Sequence, residues 1–241
     1  MIRVRPAGDT MLLVEFEQRI DPLVNDQVIQ LSTRLTARLR GAVRDVVPAY
    51  CSIGIHFDPL LTDLAALERV IGEEARVIAN ADPRDSATVV EIPVRYGGEF
   101  GPDLEAVATW AGCSPQEVIT RHKARTYRVY MLGFVPGFTF MGRVDQSIAA
   151  PRHRVPRERV PAGSVGIAGE QTGIYPISTP GGWQLIGRTS LQMFDHARTP
   201  PNLLNPGDLV RFVATGEESQ EEGERAEVGK VGEAGKEKRS R

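Results

Sequence analysis

Two cysteines in 241 residues, Cys51 and Cys113, exclude a disulfide framework, and with no CxxC pair or His pair near either they give no zinc or redox-dithiol pattern. Aromatic residues are scarce, at 6%, and no apolar run reaches the ~18 residues that span a bilayer. The start, Met1-Ile2-Arg3-Val4-Arg5-Pro6, lacks the apolar stretch of a secretory signal, so the sequence predicts a cytoplasmic protein without a membrane partner. Nor is there an excess of one charge: 29 Lys+Arg face 31 Asp+Glu. Residues 216–241 account for 8 Glu and 6 Lys/Arg, which leaves the body balanced and argues against nucleic acid as a partner. The phosphate cradle Gly-x-x-x-x-Gly-Lys-Ser/Thr is missing too. Gly163, Gly166 and Gly169 have neither its spacing nor that of the dinucleotide fingerprint.

What is present changes character along the chain. In the first 85 residues short apolar strands alternate with helical patterns. Met11–Phe16 reads as a strand, and Val24, Val28, Leu31, Leu35 and Leu39 then mark one helical face. Asp21 as cap, Pro22 at the first helical position and Gly41 past the end bracket a helix over about 21–40. Strands at Asp45–Pro48 and Cys51–Phe57 follow, then a helix from about Thr62 with Leu64, Leu67, Ile71 and Ala75 inward. Strand–helix–strand–strand–helix is the order of a ferredoxin-like sandwich short of one strand, for which Val89–Val94 and Ile2–Arg5 are the candidates. The polar, turn-rich stretch Ala79–Ala87 predicts a domain boundary.

Beyond it, Pro102–Ala111 closes at Gly112, and Ser114-Pro115-Gln116-Glu117 carries a capping box for a second short helix. Residues 130–210 hold 20 Gly+Pro, and strands are expected at Tyr127–Leu132, Ser164–Ala168, Gly173–Ile177, Gln184–Gly187 and Asp208–Val213. Short strands punctuated so regularly favour a closed or nearly closed barrel. From Thr215 the chain is Glu/Gly/Lys-rich with little to bury and is expected to be disordered.

Chemistry-bearing residues concentrate in 160–190. Turns there bring Gln171, Thr172, Tyr175, Trp183 and Arg188 onto neighbouring strands, offering an amide, a hydroxyl, flat walls and a fixed positive charge suited to a small amide-bearing anion. The same residues would equally make a corner-rich barrel in which Tyr175 and Trp183 are core. Ser164 stands one place off a nucleophile elbow, in a segment that reads as strand rather than as a strand-to-helix turn. His122, at the end of a capped helix with Arg121, Lys123 and Arg125 around it, reads either as a solvated helix end or as a proton-transfer group whose charged form the helix carbonyls favour.

The strings Ile92-Pro93-Val94-Arg95-Tyr96-Gly97-Gly98-Glu99-Phe100-Gly101-Pro102-Asp103-Leu104, Leu132-Gly133-Phe134-Val135-Pro136-Gly137-Phe138, Pro161–Pro176, and Pro180-Gly181-Gly182-Trp183 through Ile186-Gly187-Arg188-Thr189 resemble the B-subunit family of ATP-dependent 5-oxoprolinase. That family is also labelled allophanate hydrolase subunit 1 and Kip-type sporulation kinase inhibitor, and the likeness runs from about Gly8 to Val213. The resemblance implies an α+β protein: a ferredoxin-like domain at 1–85, a cyclophilin-like β-barrel domain at 86–214 and a charged tail at 215–241. It further implies partners, the C and A subunits, that together with this chain open 5-oxo-L-proline to L-glutamate at the expense of ATP, with magnesium nucleotide held mainly by a partner. Under it Arg188 is expected to bind the substrate anion, Gln171 and Thr172 its amide edge, Tyr175 and Trp183 to form walls, and His122 to move a proton, with no metal held by this chain. Kinase inhibition and an allophanate-type role are the alternatives the resemblance carries.

Overall fold

The computed structural model describes residues 2–79 and 89–216. The expected boundary stretch and most of the expected charged tail therefore lie outside the described residues.

The first unit is a four-stranded antiparallel sheet and two helices. It contains β1 (Arg3–Pro6), β2 (Met11–Glu15), α1 (Pro22–Arg38), β3 (Asp45–Pro48), β4 (Ser52–His56) and α2 (Leu64–Ile78), with sheet order β1-β2-β4-β3. The position beside β2 is filled by β1, from the N-terminal side, while Val89–Val94 belongs to the second unit. Asp21 starts α1 as expected, its carboxylate accepting from the Leu23 and Val24 amides at 2.9 and 3.2 Å. The stripe Val24, Val28, Leu31, Leu35 and Leu39 is buried against Leu12, Val14, Ile53 and Ile55 of the sheet and Leu67 and Ile71 of α2. Helix α2 is tied to α1 by buried Glu74, which accepts from Arg34 at 2.5 Å and Arg38 at 2.9 Å.

The second unit holds β5 (Val89–Tyr96), α3 (Leu104–Ala111), α4 (Pro115–Lys123), β6 (Thr126–Leu132), β7 (Thr139–Gly142), β8 (Arg157–Val160), β9 (Ser164–Ala168), β10 (Gln171–Ile174), β11 (Thr179–Gly181), β12 (Gln184–Arg188) and β13 (Leu209–Ala214). Seven of these strands close a barrel in the order β10-β7-β6-β13-β5-β12-β9, and β8 and β11 form a separate two-stranded sheet. All the barrel pairs are antiparallel except β13 with β5. Alternate residues point inward, so Ile92, Val94, Tyr127, Val129, Val165, Ile167, Val210 and Phe212 fill the interior together with Val107 and Val118 from α3 and α4. The helix α4 has the expected cap, Ser114 Oγ accepting from the Glu117 amide at 3.2 Å. A second apolar cluster, Phe138, Val160, Tyr175, Trp183 and Leu185, packs apart from the barrel interior and draws on β8 through Val160.

The two units meet through α1 and the outward residues of β6. Asn25, fully buried, donates to the carbonyl of Tyr130 at 3.0 Å and to that of Tyr50 at 3.2 Å, and accepts from Arg128 Nε at 3.0 Å. Arg128 also pairs with Asp26 at 2.5 Å, and the Tyr50 and Tyr130 rings stack with centroids 5.5 Å apart.

Candidate functional site

The segment between β5 and α3 builds the site because it can lie flat on β12. Gly101 makes this possible: a Cβ there would fall 2.0 Å from the Ile186 carbonyl oxygen, a contact no side chain tolerates. The backbone is then stitched to β12 by Gly97 N–H to Ile186 O at 3.1 Å and Asp103 N–H to Leu185 O at 2.9 Å. This sets Phe100 beside the Arg95 and Arg188 guanidinium groups, whose carbons lie 4.0 and 5.4 Å from its ring centroid. Arg95, Arg188 and Ser164 are successive register partners on β5, β12 and β9, so they share one face of the barrel wall.

Farther along the same segment Asp103 is buried and fully engaged. One carboxylate oxygen accepts from Arg157 at 2.6 Å; the other accepts from the Leu185 amide at 2.7 Å and lies 3.2 Å from His153 Nε2. The His153 contact is close but off the hydrogen-bonding direction, leaving Nε2 buried without a partner, as are Arg157 Nη1 and Gln184 Oε1. This polar cluster was not singled out from sequence. The signal available was the Gly101-Pro102-Asp103 string, which places an acid at the start of a helix; its partners come from a loop and strand some 50 residues on, where spacing carries no information.

The expected site residues do not gather in one cluster: His122 meets Thr172 in the barrel interior, and Tyr175 meets Trp183 in the outer apolar cluster. His122 is fully buried in the barrel interior, stacked on Phe212 with ring centroids 4.6 Å apart. Its Nδ1 lies 2.9 Å from the Tyr96 hydroxyl and its Nε2 2.9 Å from Thr172 Oγ1. Thr172 gives its own hydrogen to the Gly166 carbonyl at 3.0 Å, so it accepts from His122 Nε2–H, and Tyr96 O–H then donates to Nδ1. Every ring nitrogen is satisfied by the neutral form, and desolvation pushes the His122 pKa down to about 3. The structure thus places His122 as an imidazole held neutral, with no exposed surface, that ties α4 to β10, rather than at a solvated helix end whose carbonyls hold it charged. Thr172, fully buried with it, is likewise turned away from solvent rather than toward an amide edge.

Tyr175 and Trp183 are packed in the outer apolar cluster, their rings edge-on to Phe138 at 4.9 and 5.4 Å, which makes them core rather than open walls. Gln171 is half-buried at the start of β10, opposite Gly142 and Ala168. Arg188 is partly exposed, with one long contact to the Glu99 carbonyl at 3.5 Å.

Among the described residues no three His, Cys, Asp or Glu side chains converge where they could hold a cation, and the Asp103 carboxylate is already committed to Arg157 and Leu185. No helix of the described residues is long and apolar enough to cross a membrane.

Comparison with known proteins gives a consistent result. Residues 2–204 match the family described as carboxyltransferase domain, subdomain C and D. The 5-oxoprolinase B subunit of Bacillus subtilis is 43% identical over 225 residues, covering 89% of this chain and 93% of that protein. The 5-oxoprolinase B subunit of Escherichia coli O157:H7 is 42% identical over 209 residues, covering 86% and 93%. The crystal structure of TTHA0988 superposes with a TM-score of 0.76 at 36% identity over 90% of this chain, which spans only 40% of that longer chain. With near-complete mutual coverage at this identity, the chain belongs to the 5-oxoprolinase B-subunit family.

Proposed function

We propose that this chain is the B subunit of an ATP-dependent 5-oxoprolinase, acting with the A and C subunits in the cytoplasm to hydrolyse 5-oxo-L-proline to L-glutamate. The observation that carries the reading is the identity of 42–43% across 93% of two proteins named for that role. We read its architecture as a ferredoxin-like domain over 1–85, with β1 supplying the last strand, and a cyclophilin-like barrel over 86–214.

The chemistry explains why a subunit rather than a complete enzyme is expected. A five-membered lactam is stable near neutral pH, so its carbonyl must be activated before water can attack and the C–N bond can break. Transfer of a phosphoryl group to the lactam oxygen supplies that activation. The sequence carries no Gly-x-x-x-x-Gly-Lys-Ser/Thr phosphate cradle, and we assign the ATP step to a partner on that ground. Its contribution is to bind and orient: Arg188 for the substrate anion, the Phe100 ring as a flat support, and Gln171 at the nearby edge of β10 for polar contact. His122 serves as a positioning residue that holds α4 on the barrel.

Co-expression with the neighbouring subunit genes, size-exclusion chromatography and an assay for ATP-coupled glutamate formation test the reading. Co-elution, with activity only in the mixture, is expected. Separate elution of the chains, or lactam hydrolysis by this chain alone, would overturn it and favour a regulatory or self-sufficient role.

A further inference from the structure

The site contains a charge arrangement that the protein alone leaves unbalanced. Arg95 and Arg188 are directly opposed across β5 and β12, and like charges so placed destabilise a strand pair. Several other arginines of the same unit have a carboxylate, Arg121 that of Glu117, Arg125 that of Asp145 and Arg157 that of Asp103, whereas Arg159 and Arg198 are met by a hydroxyl and by backbone carbonyls. Among the described residues no carboxylate comes within ion-pair range of Arg95 or Arg188. Both instead lie against the same Phe100 ring, with guanidinium carbons 4.0 and 5.4 Å from its centroid, a contact that packs them without neutralising them.

Two further groups on this row want an acceptor or a donor. Arg188 Nε is buried with no hydrogen-bond partner, and so is the hydroxyl of Ser164, a residue with no exposed surface that stands opposite Arg188 on β9. Buried polar atoms in native proteins are paired in the great majority of cases, so two orphans beside two guanidinium groups that lack a carboxylate leave this row incomplete. A planar anion with two acceptor oxygens suits two forked, planar donors.

The geometry points to Arg95 and Arg188 as a two-guanidinium clamp for the carboxylate of a small substrate, with Arg95 setting the preference for a carboxylate-bearing cyclic amide over an uncharged one. Taking that carboxylate as the ring acid of 5-oxoproline rests on the function proposed above. Arg95 is not among the site residues expected from sequence.

The test is calorimetric titration of the full-length chain and of its complex with 5-oxo-L-proline, with its uncharged carboxamide and with inorganic phosphate, for wild type, Arg95→Met and Arg95→Lys. Wild type is expected to bind the acid at least tenfold more tightly than the carboxamide, and more tightly than phosphate. Arg95→Met should erase the preference and raise KM for 5-oxoproline at least tenfold with kcat changed less than threefold; Arg95→Lys, which keeps the charge but loses the fork, should fall between. If Arg95→Met does not fold, the Lys variant decides the matter by the same KM shift. Equal affinity for acid and carboxamide, tighter binding of phosphate, no binding of either organic ligand by the complex, or an unchanged KM in a folded variant would overturn the clamp. A carboxylate preference lost in Arg95→Met, in a complex that does not hydrolyse 5-oxoproline, would leave the clamp standing and sink the functional reading instead.

Discussion

Asn25 on α1 and Arg128 on β6 are joined across the two units by a 3.0 Å bond from the guanidinium Nε to the amide oxygen, while the same Asn25 amide nitrogen reaches the Tyr130 carbonyl two residues along. A single buried side chain thus satisfies groups from both units at once. Asn25→Ala should cost about 1–3 kcal/mol, since it leaves Arg128 Nε and the Tyr130 carbonyl without partners. Urea denaturation measures this, and a loss below about 0.5 kcal/mol would mean the junction is held by packing alone.

His122 gives the acid limb of stability a definite sign. Its folded pKa, near 3, lies below the ordinary value of 6.5, so between those values the unfolded chain binds a proton that the folded one excludes. Its contribution is complete above about pH 6.5 and is lost as pH falls toward 3, which amounts to about 2 kcal/mol by pH 5. Denaturation midpoints between pH 7 and pH 4.5 should decline, and the decline should be shallower in His122→Gln. A folded-state imidazole titrating near 6.5 by NMR would contradict the buried assignment.

Asp103→Ala should destabilise the second unit by about 2–3 kcal/mol. It removes the acceptor of the Leu185 amide and the partner of a part-exposed Arg157, so solvent recovers some of the loss. Thermal melting checks it; a shift near zero would make the cluster dispensable for folding and raise its standing as a ligand site.

Arg188→Ala is expected to lower the activity of the reconstituted complex more than tenfold while the isolated chain melts as wild type. Unchanged turnover would reduce Arg188 to a structural role.

Removal of residues 217–241 should change the melting temperature by less than about 2 °C and leave complex formation intact, because a Glu/Gly/Lys-rich segment has little to bury. A drop of several degrees would show that it packs.

Local signals were legible where one face of one element settles the matter. The α1 stripe, its Asp21 cap and the Ser114 cap of α4 depend on neighbours within a turn or two, and all are found as read. Strands β7, β8 and β11 escaped because they are three or four residues long; β7 and β11 also include Gly142, Pro180 and Gly181, which read as turns, and β8 is a charged run with Val160 as its single apolar residue. Alternation along β10 and β12 also cannot say whether the outer face is wet. Packing of Val160 and Phe138 against Tyr175 and Trp183 covers it, so residues that look like open walls become core. His122 fails for a related reason: a helix end rich in Arg and Lys looks solvated, yet the ring turns inward between Tyr127 and Phe212. The fixed charge of Arg188 was easier to read, because a guanidinium stays protonated whatever packs beneath it. Its companion Arg95 sits within a family string, and only strand register places the two side by side.

The parallel pairing of β5 with β13 also sets a timetable for synthesis. Arg211 reaches Glu91 across 120 residues of chain, whereas every strand of the first unit has emerged by His56. At roughly 5–20 residues per second of translation, β5 waits on the order of 10 s for the stave that closes the barrel against it. Until β12 follows both edges of β5 are open templates, and the edge that β13 covers stays open throughout the interval, because closing so long a loop is slow. The newborn chain thus passes through a stage with its first unit formed and its barrel still open, which makes the last strand released the one that ends its exposure to aggregation.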